Sequence, residues 1–124
     1  MATAVSFRPM AIDIVRTPVS LDSIRRMAAT QFGDFVKAVV DVERGLMAIG
    51  GELHADEEAL LLQDGSRQAD LWGVNLYPEL PPADLIEFDS MINVRPLQRN
   101  RSRGVEDAAV RRRIQGIVER LVVQ

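Results

Sequence analysis

The chain has 124 residues, a net charge of −3 and no cysteine. That length suits one hydrophobic core, and an apolar fraction of 47% with 27% charged residues excludes a disordered chain. Without cysteine there is no disulfide, thiolate metal site or thiol nucleophile, and the negative charge excludes bulk attraction to nucleic acid.

Residues 1–9 are expected to form a flexible lead-in, and residues 10–124 a single α+β domain. Met10 to Val15 alternates weakly as a strand, and Thr17-Pro18 ends it. Ser20 is a good N-cap for a helix in which Leu21, Ile24, Met27 and Ala28 recur at helical spacing, and Gly33 closes it. Val36 to Val42 alternates cleanly, Glu43-Arg44-Gly45 turns, and Leu46 to Ile49 is an apolar strand, so the pair reads as a hairpin. Gly50-Gly51 then breaks or bulges the strand. His54 to Gln63 reads as a short helix with Asp56, Glu57 and Glu58 in its first turn and Ala59 to Leu62 as its buried part, although a strand would also tolerate Leu60 to Leu62.

Leu71 to Tyr77 is a strand with Trp72, Val74 and Leu76 on one face and Leu71, Gly73, Asn75 and Tyr77 on the other. Pro78, Pro81 and Pro82 stiffen the next loop. A further strand is expected over Leu85 to Val94, with Ile86, Phe88, Ile92 and Val94 inward and Glu87, Asp89, Met91, Asn93 and Arg95 outward. A polar loop from Arg95 to Gly104 follows. Glu106 and Asp107 open a last helix, whose apolar stripe is Val110, Ile114, Ile117, Val118 and Leu121.

The order β-α-β-β-α-β-β-α predicts an α+β fold, an antiparallel or mixed sheet with helices packed mainly on one face. Its first six elements match a ferredoxin-like split βαβ arrangement, which the last strand and helix would extend. No apolar run approaches the ~20 residues that span a bilayer, and no apolar segment follows a basic cluster at the N-terminus. A cytoplasmic location away from the membrane is therefore expected.

Five runs are long and particular: 36–42, 47–56, 71–78, 86–96 and 100–107. Met47-Ala-Ile-Gly-Gly-Glu-Leu-His-Ala-Asp and Leu71-Trp-Gly-Val-Asn-Leu-Tyr-Pro are two of them. Together they resemble a family of small prokaryotic proteins known as a domain of unknown function, number 5674. The resemblance covers nearly the whole chain and implies a stand-alone single-domain protein. It implies no catalytic residue, cofactor or substrate.

Three constellations could carry chemistry. Glu52, His54 and Asp56 are spaced i, i+2, i+4, and in an extended chain they would project to one side as metal ligands. If a helix starts at His54 they do not line up. His54 is the only imidazole and so the first candidate for acid–base work, with Glu52 as orienting partner. Glu87 and Asp89 lie on a polar strand face with Asn93 and Arg95, opposite Asn75 and Tyr77 on the neighbouring strand, either as a plain solvent face or as the floor of a pocket. Arg95, Arg99, Arg101 and Arg103 form an arginine loop that could hold anions or serve as structural ion pairs. This loop is expected to fold back and bring an arginine near Glu52, His54, Glu87 or Asp89. No phosphate-loop or nucleophile-elbow motif occurs.

The function readings are accordingly three. The first is a small binding or regulatory domain acting through protein contacts, as a homodimer or with a protein partner. The second is an RNA- or anion-binding, ribonuclease-like domain using the arginine loop and His54. The third is a metal-dependent enzyme centred on Glu52, His54 and Asp56. Nucleic acid is the less favoured partner, and no motif names a cofactor.

Overall fold

The computed structural model describes residues 11–124. The lead-in expected over residues 1–9, and Met10 of the first strand, lie outside the described residues. The elements run β1 (Asp13–Val15), β2 (Val19–Ser20), α1 (Leu21–Thr30), β3 (Val36–Asp41), β4 (Leu46–Ile49) and α2 (His54–Gln63). They continue with β5 (Leu71–Leu76), β6 (Ile86–Glu87), α3 (Ala108–Leu121) and β7 (Val122–Val123). Apart from the two-residue strands β2 and β7, this is the α+β order read from the sequence.

The hairpin β3–β4 is the centre of the sheet. Asp41 builds its turn: Oδ1 accepts from the N–H groups of Glu43 and Arg44, and Gly45, at φ +69, donates to Asp41 O. Asp41 is fully buried, and its other oxygen accepts from Ser66 Oγ at 2.6 Å. Arg44 reaches Ser66 and Asp64, and Arg16 adds a second cation to Asp64. The end of α2 is thus fastened to the hairpin turn.

The main sheet has the order β1-β4-β3-β5-β6, antiparallel throughout. β5 lies beside β3, not on the free edge of β1, so the sheet grows past the hairpin and does not close as a split βαβ unit. The alternation of β3 and β5 explains the layers. Ala38, Val40, Trp72, Val74 and Leu76 face one way and pack with Ile24 and Ala28 of α1 and with Ile114, Val118 and Leu121 of α3. Val39, Leu46, Ala48 and Leu71 face the other way and pack with Leu61 of α2. Two helices therefore cover one face and one helix the other. β2 and β7 form a separate parallel pair joining the start of α1 to the end of α3.

The caps follow the sequence. Ser20 Oγ accepts from Ser23 N–H, Asp107 Oδ1 accepts from Ala109 and Val110, and Gly33, at φ +92, lets its N–H reach Ala28 O.

Two local expectations are corrected. In α2 the buried stripe is Glu57 and Leu61, whereas Ala59 and Leu62 are exposed. The i, i+4 pair faces the sheet, and that spacing takes a carboxylate inward. The strand expected over Leu85 to Val94 pairs only at Ile86–Glu87. Ser90 Oγ accepts from Ile92 N–H and turns the chain into a 3₁₀ turn over Met91–Asn93. Asn93, expected outward, is fully buried, and Val94, expected inward, is exposed.

Candidate functional site

β3, β5 and β6 carry a polar row across the sheet face that α2 leaves uncovered. The register sets Lys37 opposite Asn75, and Asn75 opposite Glu87. Asn75 Nδ2 donates to Glu87 Oε1 at 2.9 Å, and Tyr77 Oη donates to the same oxygen at 3.2 Å. Asn75 is buried, and its Oδ1 is shut off from solvent beside the His54 ring. This row floors a cleft of about 500 Å³.

α2 supplies the roof. Its first residue, His54, lines the cleft, with Leu53 at the mouth. His54 Nε2 lies 2.8 Å from Val74 O. A carbonyl only accepts, so Nε2 carries the proton of the neutral ring and Nδ1 holds the lone pair. Burial pushes the His54 pKa below 6.5; Lys37 adds to that, while the Val74 bond, Asp89 and Asn75 oppose it. His54 is therefore neutral at pH 7, with a basic Nδ1. The ring fits because residue 73 is glycine: a Cβ there would lie 2.5 Å from Ser90 Cβ and 3.2 Å from His54 Cδ2.

The side walls are aromatic at one end and ionic at the other. Phe35 stacks on Phe32 with centroids 4.9 Å apart and meets Tyr77 at 5.3 Å. Burial, then the neighbouring Glu87, raises the Tyr77 pKa, so its hydroxyl stays protonated and donating. At the other end Arg103 Nε donates to Asp89 Oδ1 at 2.6 Å. The loop holding Arg103 is built on two buried asparagines. Asn93 Nδ2 donates to Arg103 O, while Asn100 Nδ2 bonds Asn93 O and Gly104 O and its Oδ1 accepts from Glu106 N–H.

Of the residues singled out in the sequence, His54, Glu87, Asp89 and Arg103 come together in this cleft. Glu52 and Asp56 are exposed and do not line it. Because α2 begins at His54, those two acids and the imidazole do not share a side. Among the described residues no group of three or more His, Asp or Glu side chains is placed to hold a metal ion. Arg95 is committed to the fold. Its guanidinium stacks on Trp72 at 4.6 Å and donates to Ile92 O, Gln68 O, Leu71 O and Gln98 Oε1. Arg99 and Arg101 are exposed and away from the cleft. Lys37 was the residue missed. It is the only lysine, on the polar side of an alternating strand, and only the β3–β5 register reveals that it meets Asn75.

A family model, Protein of unknown function (DUF5674), matches residues 13–121. The chain belongs to that family. No curated protein and no solved structure matches it. Membership of this family carries no activity with it, so the cleft's own chemistry has to supply the functional reading. Among the described residues no helix is long and apolar enough to cross a membrane.

Proposed function

We propose that this protein binds a small polar molecule in the cleft between α2 and the β3–β5–β6 face, with His54 as the proton acceptor. The observation that carries this reading is the convergence of one neutral imidazole, a protonated phenol and two carboxylates on a single concave surface. A thermal-shift screen of polar small molecules on the wild type and on His54→Phe tests the reading. Compounds that raise the melting temperature of the wild type and lose that effect in the variant support it. Stabilisers acting equally on both proteins contradict it.

A second reading, a binding domain acting through protein contacts, draws on the apolar side chains Met91, Val94 and Leu97, of which Leu97 is fully exposed. They follow one another along one turn and loop, Met91 lining the cleft, and a second copy or a protein partner would cover them. Light scattering decides it: a homodimer lost in Leu97→Glu supports it, and a monomer that captures no partner opposes it.

A further inference from the structure

Two opposite charges on the cleft floor form no ion pair among the described residues. Lys37 Nζ makes no ion pair or hydrogen bond among the described residues and lies over the Phe32 ring, 5.0 Å from its centroid. Glu87 accepts from Asn75 and Tyr77, both neutral, and pairs with no cation among the described residues. The neighbouring Asp89 and Arg103, by contrast, neutralise each other directly. Lys37 and Glu87 stand two strands apart on the same row, with Asn75 between them. Strands are ~4.8 Å apart, so the two backbone positions are separated by ~10 Å. The fold holds the two charges on one surface at a spacing that does not bring them into contact.

Resting on the cleft-binding reading above, we infer that the ligand is a small zwitterion, an amino carboxylate whose anionic group meets Lys37 and whose ammonium meets Glu87. Once Lys37 turns from Phe32 and Glu87 from Asn75 to stand upright on the sheet, contacts of ~3 Å at each end leave ~4 Å between the ligand's own charges. That separation suits a β- or γ-amino acid better than an α-amino acid. The aromatic wall of Phe35 and Tyr77 gives the methylene chain an apolar surface. Asp89, already neutralised by Arg103, does not compete for the ammonium, so the charge pattern sets the ligand's direction as well as its class.

The test uses three probes of matched length: γ-aminobutanoate, butanoate and butylamine. Each is titrated into the full-length protein while the backbone amide signals are followed by NMR. The inference predicts that γ-aminobutanoate shifts the amides of Lys37, Asn75 and Glu87 and binds about tenfold or more tightly than either half-analogue. Lys37→Met is expected to abolish its advantage over butylamine, and Glu87→Gln its advantage over butanoate. If butanoate or butylamine binds in the cleft as tightly as the zwitterion, the zwitterion assignment is overturned and the cleft reading stands. If none of the three shifts the cleft amides at millimolar concentration, the zwitterion assignment also falls, and the cleft reading is judged on its own thermal-shift screen.

Discussion

The carboxamide of Asn93 closes on both backbone polar groups of Gly73: Oδ1 accepts from Gly73 N–H at 2.8 Å and Nδ2 donates to Gly73 O at 2.9 Å. A neighbouring strand would make the same two bonds. One side chain thus replaces the missing part of β6 and leaves room in front of Gly73 for His54 and Ser90. Asn93→Leu removes both bonds and strands the Gly73 groups inside the protein, which should cost about 2–4 kcal/mol. Urea unfolding reads this as a lowered midpoint. A midpoint equal to that of the wild type would show that the amide bond pair contributes nothing.

The corner between β4 and α2 depends on two glycines for different reasons. Gly50 sits at φ +94, where a β-branched residue is strongly disfavoured, and a Cβ there would also lie 3.2 Å from Ala11 O. Gly51 is required by crowding, because its Cβ would fall 2.8 Å from Glu57 Cγ. Gly50→Val and Gly51→Val should each destabilise the fold more than His54→Ala, which loses one hydrogen bond and a half-buried ring. Thermal melts of the three variants decide this, and glycine variants melting near the wild type would refute it.

Glu57 is fully buried, with Oε2 accepting from Gly51 N–H at 2.9 Å and Oε1 without a hydrogen-bond partner among the described residues. Burial raises its pKa well above 4.5; Asp56 adds to the rise, while the Gly51 bond and Lys37 oppose it. A pKa raised on folding gives stability that is present below 4.5 and lost as the pH rises through the folded value. Glu57→Gln should therefore stabilise the protein at pH 8, by an amount that shrinks towards pH 4. Denaturation curves at the two pH values check it, and a gain independent of pH would contradict it.

His54 has the opposite sign. Its folded pKa is depressed, so its contribution is present above 6.5 and is lost as the pH falls through the folded value. The imidazole resonances should titrate below 6.5, and Lys37→Met should move the midpoint up because it removes a nearby cation. A midpoint at or above 6.5 in the wild type would show that the ring is not held neutral by burial.

Periodicity made most of the fold legible. The hairpin, the Ser20 cap, the limits of α2 and the Trp72–Val74–Leu76 core face all follow from local spacing, which depends on neighbours a few residues apart. The segment after Glu87 did not: Ser90 turns the chain through a local bond from Ile92 N–H that the strand alternation masked, and Asn93 bonds Gly73, a partner that only the fold supplies. The same limit governed the site. His54, Glu87, Asp89 and Arg103 were legible as chemistry-bearing residues, whereas Lys37 gains meaning only from its register with Asn75. Arg95 shows the reverse case. Its charge stood out among the candidate anion contacts, yet its donors serve backbone carbonyls around Trp72.

Whether the cleft is the functional site is tested most directly by screening polar small molecules against the labelled protein and mapping every hit onto its backbone amides. The cleft predicts hits that shift Lys37, His54, Asn75 and Glu87 together, weaken in His54→Phe, and spare the apolar groove between Leu85, Phe88 and Val118. Hits gathered in that groove, with the cleft amides unmoved, would contradict it.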